Sequence, residues 1–239
     1  VSGDYIERAS ALVSNGVSVV CIDVAHGHHA LVRHALTTLR NTFGHDLHIM
    51  AGNVATVDAF NDLADWGASS IRVGIGGGSI CSTRIQTGHG VPTLQSILDC
   101  SVSDRSAKLI ADGGIKNSGD MVKAFAAGAD FVMVGSLLAA TPETPNPIVY
   151  QGQKAFKSYR GMASVEAQIS WRGHTSSVEG VSHLIPLKKP APFVLKQLDN
   201  GIRSGLSYSG VNNLGEFWAK ATFVEQSTAG QFESNTHVK

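Results

Sequence analysis

The sequence predicts an α/β fold, a (β/α)8 TIM barrel of which about the last five strand–helix units lie in these 239 residues. Three observations predict it. Five short apolar runs of strand length alternate with helix-length stretches as far as Ala140, the pattern of a parallel sheet covered by helices. Each run ends in polar or glycine residues. Such ends follow every run rather than one reversal point, which favours a barrel over the doubly wound sheet that the alternation also fits. Five units do not close an eight-stranded barrel, so this expectation places three further strands upstream of Val1.

The elements follow in order. Ile6, Ala9, Leu12 and Val13 fall at helical spacing, and Asn15-Gly16 is a normal stop. Val17–Val24 reads as a fully buried strand ending among Asp23, His26, His28 and His29. A helix over Ala30–Thr42 leads to a second strand, Leu47–Val54, which carries Asn53 near its end. Helix Val57–Trp66 closes on Gly67, and Ser70–Val73 runs into a glycine loop. Pro92-Thr93 opens the next helix, Lys108–Ala111 is a strand, Ser118–Ala127 a helix and Asp130–Val134 a strand. After Ala140 the texture changes. Residues 141–147 hold three prolines, and Tyr150–Lys157 has hairpin character around Gln151-Gly152. Tyr159–Leu187, weakly periodic, suits a mobile flap. Phe193–Ile202 and Asn212–Ala221 read as helices, and Gln231–Lys239 as an extended polar tail. Residues 1–239 thus read as a single barrel domain, incomplete at the N-terminus, with a flap at about 141–190 and a tail at about 222–239.

Composition narrows the function classes. Nineteen basic and nineteen acidic residues give zero formal charge, so no basic field exists for nucleic acid or anionic lipid. Three cysteines, an odd number at irregular spacing, argue against a disulfide framework and for a reducing, cytoplasmic setting. No apolar run approaches the ~18 residues of a membrane span, and no signal-peptide pattern opens the chain. The start at Val1, without Met, suggests that upstream sequence exists.

The glycine loop organises the candidate chemistry. Gly74-Ile75-Gly76-Gly77-Gly78-Ser79-Ile80-Cys81-Ser82-Thr83-Arg84 packs four glycines into five positions ahead of a lone cysteine. Backbone this bare approaches a ligand closely and reaches positive φ. Its N–H groups can cradle an anion and its carbonyls can face a cation. Cys81 would ride the rim as a nucleophile, helped by Arg84; a buried structural thiol is the plain alternative. In a parallel barrel the ends Asp23, Asn53, Asp112-Gly113-Gly114 and Gly135-Ser136 share that face. Two glycine-bearing ends followed by Tyr159 suit one phosphate, held by backbone N–H groups, Ser79, Ser136 and the phenol. Asp112 is placed to accept from ribose hydroxyls. His26, His28, His29 and His174 lack a fixed metal-ligand spacing and read as polar loop residues. Trp66 reads as a helix-packing residue, Trp171 as a flap anchor, and Cys21 and Cys100 as packing residues.

Five runs carry a resemblance: residues 74–84, Ile110–Ile115, Phe131–Ser136, Tyr159-Arg160-Gly161-Met162 and Ile202-Arg203-Ser204-Gly205. Nearly end to end and in order, the chain resembles the IMP dehydrogenase / GMP reductase family. The resemblance implies a (β/α)8 barrel, a homotetramer, and an oxidoreductase acting at C2 of a purine 5′-monophosphate. Cys81 matches the nucleophile that forms a covalent thioimidate, with hydride passing to or from NAD or NADPH. Thr83 matches the hydroxyl two residues on. Ser79, Gly113, Gly114, Gly135, Ser136, Tyr159, Gly161 and Met162 match the substrate site, and Asp112 the ribose ligand. Asp23, Asn53, Arg72 and Gly74 match the nicotinamide side. Carbonyls of Gly76, Gly78 and Cys81 resemble half of a K+ site, completed by Glu233 of a neighbouring subunit. Gly77 departs from the family, where many relatives have Pro or Ser.

The resemblance leaves two activities. A dehydrogenase activates water with an Arg-Tyr pair on a long flap, whereas a reductase expels ammonia from GMP using a Thr and a Glu. No Arg-Tyr dipeptide follows residue 160, where Arg172 is the flap's remaining arginine. Thr83 and Glu179 match the reductase pair, although Glu179 also has a counterpart in bacterial dehydrogenases. Tyr159-Arg160-Gly161-Met162 and Glu233-Ser234 look more like dehydrogenases. The missing water activator tips the expectation to GMP reductase, with IMP dehydrogenase as the alternative. A non-catalytic purine-nucleotide-binding protein is the alternative of another class, disfavoured by Cys81, Thr83 and Glu179 together.

Overall fold

Five parallel strands pair strictly in chain order, β1-β2-β3-β4-β5, in a computed structural model that describes every residue except Ser2 and residues 237–239. They are β1 (Val19–Asp23), β2 (His48–Val54), β3 (Ser70–Val73), β4 (Lys108–Asp112) and β5 (Phe131–Met133). Between them run α1 (Tyr5–Ser14, ahead of β1), α2 (Ala30–Phe43), α3 (Val57–Asp65), the short α4 (Thr83–Thr87), α5 (Thr93–Ser101) and α6 (Ser118–Ala126). Side-chain caps set the helix starts: the His29 ring accepts from Leu31 N–H, Thr56 from Ala59 and Asn117 from Asp120, each satisfying a donor that the first turn leaves open.

The core lies between sheet and helices. Val32, Leu36 and Leu39 of α2, Phe60 and Leu63 of α3 and Ile97 of α5 pack with Ile49, Ala51, Val54, Ile71 and Val73 of the strands. β1 is not the fully buried strand its composition suggests. It is an edge strand with Val19 49% exposed, because burial in a parallel sheet comes from neighbours and β1 has only β2 beside it. Cys21 is likewise exposed rather than packed, whereas Cys100 is buried as expected. Trp66 stacks on His28 and lies beneath Arg33.

A second, three-stranded antiparallel sheet follows: β6 (Ile148–Gln151), β7 (Lys154–Arg160) and β8 (Ser182–Pro186), with α7 (Val165–Arg172) between the last two. The hairpin around Gln151-Gly152 forms as expected. The stretch 159–187, expected from its weak periodicity to suit a mobile flap, contains regular structure: β8 pairs with β7 along five residues from Phe156 to Arg160. Trp171, expected as a flap anchor, is instead 68% exposed with the Arg172 guanidinium over its ring. The chain ends in α8 (Ala191–Tyr208), longer than its periodicity suggests, α9 (Leu214–Lys220) and α10 (Thr228–Glu233). The helical turn of α10 replaces the start of the expected extended tail, whose last residues, 237–239, lie outside the described ones. Among the described residues no helix is long and apolar enough to cross a membrane.

Candidate active site

The loops after β3 and β4 meet backbone to backbone. A Cβ on Gly74 would sit 2.0 Å from the Asp112 carbonyl oxygen, and one on Gly113 would sit 2.8 Å from the Gly77 carbonyl carbon. Both residues also adopt positive φ, so glycine is required twice over at this contact. Arg84, expected to assist Cys81, instead lies under the loop. Its guanidinium donates to the carbonyls of Ile75 at 3.0 Å and Val91 at 2.6 Å, stiffening the turn.

Above this seam stands a polar line. The Cys81 thiol donates to Thr83 Oγ1 at 3.2 Å, and the Thr83 hydroxyl donates to Glu179 Oε2 at 2.7 Å. Cys81 is exposed, while Thr83 and Glu179 are half-buried. The backbone explains how a residue of the flap reaches the loop. Ser82 N–H donates to Glu179 O at 2.8 Å, Val181 N–H to Ile80 O at 3.0 Å, and Cys81 forms an isolated bridge with Gly180. On its other side the same segment meets residues 161–163, through Gly161 N–H to Val181 O and Glu179 N–H to Ala163 O. Met162 stands exposed beside it.

A second cluster gathers the ends of four strands. The Arg72 guanidinium contacts Asp23 Oδ1 at 2.6 Å and Asp112 Oδ2 at 2.8 and 3.0 Å, and approaches Cys21 Sγ at 3.6 Å. Burial alone would lower the Arg72 pKa, but Asp112 and then Asp23 outweigh it and hold it above its ordinary value. Asn53 Nδ2 donates to Gly74 O at 2.7 Å and to Asp112 Oδ2 at 2.8 Å. Its Oδ1 is buried without a hydrogen-bond partner.

A third group gathers around Tyr159. The Tyr159 hydroxyl is 3.4 Å from Ser79 Oγ, a long contact for two hydroxyls, and would be 3.1 Å from a Cβ on Gly135. The Ser136 carbonyl accepts from the Lys188 ammonium. The structure therefore brings Cys81, Thr83 and Glu179 together, and Asp23, Asn53, Arg72, Gly74 and Asp112 together. Gly113 touches the glycine loop, and Ser79 links that loop to Tyr159. Gly114 has positive φ with open space where a side chain would stand. Gly76, Gly78 and Cys81 share the loop, with the Gly78 carbonyl accepting the Cys81 N–H at 3.1 Å. Glu233 closes α10. The histidines behave as loop residues: His28 pairs with Asp62 at 2.7 Å, His29 caps α2, and no group of three or more metal-ligating side chains occurs among the described residues. Lys157 and Lys188 were not suggested by the sequence reading. Alternation along β7, which puts residue 157 on the Tyr159 side, was the available signal for the first.

Residues 1–237 match the family model described as the IMP dehydrogenase / GMP reductase domain. The chain belongs to that family. Members of the IMP dehydrogenase / GMP reductase family are oxidoreductases acting on purine nucleotides, and the relatives carry both names. An IMP dehydrogenase of Nitrosopumilus maritimus is 41% identical over 99% of this chain and 52% of its own length. A GMP reductase of Leishmania major is 43% identical over 97% of this chain and 50% of its own. Among solved structures, a Cys→Ala variant of GMP reductase from Trypanosoma brucei in complex with guanosine 5′-monophosphate superimposes with a TM-score of 0.94. It is 38% identical, over all of this chain and 51% of that one. The chain thus spans about half the length of the family members it matches.

Proposed function

We propose that these residues form the catalytic site of a purine-nucleotide oxidoreductase working at C2 of a purine 5′-monophosphate, and that the reaction is reduction of GMP to IMP and ammonia. The line from Cys81 through Thr83 to Glu179 carries this reading. As the sulfur adds to C2, its proton passes to Thr83 Oγ1 while the threonine proton passes to Glu179. The same path, run backwards, delivers a proton to the departing amine. Ammonia leaves and a thioimidate joins Cys81 to the purine. A bound nicotinamide would supply hydride chemistry at C2, and Cys81 would leave C2 as the thiolate when IMP forms.

Ser79, Gly113, Gly114, Gly135, Ser136 and Tyr159 would hold the phosphate, Asp112 the ribose, and Gly161 and Met162 the base. Asp23, Asn53, Arg72 and Gly74 would hold the cofactor, NADPH for the reductase or NAD for the dehydrogenase. The residues fit: a buried Asn53 Oδ1 without a partner suits an amide N–H donor. The carbonyls of Gly76, Gly78 and Cys81, hard oxygen ligands, suit K+, with Glu233 of a neighbouring subunit in a homotetramer. The five strands would be an arc of a (β/α)8 barrel. Pairing in unbroken chain order supports this, because a doubly wound sheet reverses its order at a switch point.

IMP dehydrogenase is the second reading, favoured by Tyr159-Arg160-Gly161-Met162. Against it, the flap arginines are engaged: Arg160 Nη1 contacts Glu166 O at 3.4 Å and Arg172 covers Trp171. Purified full-length protein, given GMP with NADPH and then IMP with NAD+, decides by nicotinamide absorbance. Turnover of GMP alone supports the reductase, turnover of IMP alone replaces it with the dehydrogenase, and binding without either turnover leaves a nucleotide-binding protein.

A further inference from the structure

Two lysines stand where lysines are seldom found. Lys157 of β7 is 2% exposed, and no ion pair among the described residues includes it or Lys188. An ammonium taken from water needs replacement partners, at a cost of several kcal/mol if they are missing. Both lysines find them in main-chain oxygens. Lys157 Nζ donates to Pro142 O at 3.0 Å, Thr144 O at 2.6 Å and Thr144 Oγ1 at 3.1 Å, which uses all three of its donors. Lys188 Nζ donates to the carbonyls of Ser136 and, at 3.2 Å, Leu137. Burial also lowers its pKa from the ordinary 10.5.

The acceptors belong to one stretch, 136–144, which leaves β5. The donors come from the antiparallel sheet, one within β7 and one just past β8. Main-chain bonds run beside them, Leu187 N–H to Ala155 O at 2.9 Å and Lys188 N–H to Ala140 O at 2.8 Å. Strand alternation places Lys157 and Tyr159 on one face of β7, so Lys157 is pinned to the β5 loop two residues before the phenol that overhangs Gly135. Lys188 grips Ser136 itself.

We propose that Lys157 and Lys188 are positioning residues for the nucleotide phosphate, fixing Tyr159 and Ser136 relative to one another. The proposal rests on the purine 5′-monophosphate reading above. A role confined to holding the flap down would alter stability and all ligand binding alike; a role in the phosphate subsite discriminates between a nucleotide and its nucleoside.

The test uses full-length protein and calorimetric affinities for GMP and guanosine, and for IMP and inosine. Lys157→Met and Lys188→Met, which keep most of the aliphatic stem, are expected to weaken the nucleotides by about tenfold and leave the nucleosides unchanged. Tyr159→Phe lowers the same ratio, and adding Lys157→Met to it lowers the ratio no further, because Lys157 acts through Tyr159. Equal weakening of both ligand types, an unchanged ratio, or full additivity with Tyr159→Phe overturns the proposal. If Lys157→Met does not fold, Lys188→Met, at a part-buried site, decides alone by the same ratio. Failure of the unsubstituted protein to bind either nucleotide overturns the purine reading, and this proposal with it; intact binding with an unchanged ratio overturns this proposal alone.

Discussion

The parallel sheet and the antiparallel sheet are held by different physics. The first is a sandwich of apolar side chains, with Ile49, Ala51, Val54, Ile71 and Val73 fully shielded. The second is thinly covered: every residue of β6 is exposed, and its deepest side chain is a lysine bonded to carbonyls. Hydrophobic burial resists opening in proportion to area, whereas polar ties and strand pairing at an exposed sheet open locally at lower cost. The candidate chemistry straddles the two. Cys81 and Thr83 ride on the apolar platform and Glu179 and Tyr159 on the segment joined to the second sheet, so the candidate site draws on both regions. The lesson is a division of labour: one region supplies an apolar platform, and the other contributes polar groups to its rim.

The contrast can be broken or sharpened by substitution. The largest effect is expected from Cys81→Ala, which removes an exposed sulfur and should cut turnover by about 10³-fold or more, ~4 kcal/mol, with the melting temperature unchanged. A variant that still turns over removes the covalent mechanism. Next comes Phe60→Ala beneath the parallel sheet, expected to cost about 3–5 kcal/mol in denaturant unfolding, while Tyr150→Ala on β6 stays within ~0.5 kcal/mol. Equal costs would abolish the distinction between the regions. Glu179→Gln, which keeps the shape and removes the charge at the end of the proposed proton path, should lower kcat by about 10²-fold without loss of stability; a drop in unfolding free energy instead would make Glu179 a structural tie. The last effect, absent at neutral pH, belongs to Cys100, whose thiol burial pushes up from 9.0 to about 12. Between those values the unfolded chain releases a proton that the folded chain keeps, so stability falls as pH rises through that window. Below pH 9 the native protein should protect Cys100 from alkylation while Cys81 reacts.

Much of the platform was legible because its strands are continuous apolar runs with glycine or polar ends, and parallel pairing needs no more. What the runs do not encode is which strand lies at an edge, and β1 was misread for that reason. The flap was harder. β8 contains a proline and polar residues, and it is a strand only because β7 lies beside it, a contact invisible to local pattern. Thr83 and Glu179 are 96 residues apart, so their meeting was reached through resemblance and not through spacing. Lys157 and Lys188 were overlooked because lysine normally signals solvent; only the carbonyls waiting for them make their burial tolerable.

The seam at Gly74 and Gly113 also has a consequence for anyone wishing to redesign this protein. Two stretches of main chain pressed together, each at positive φ, leave no room for a side chain at either spot. A saturation library should return almost nothing but the parental codons there, whichever reaction is selected. Variation has to enter elsewhere, at open positions such as Met162, 71% exposed.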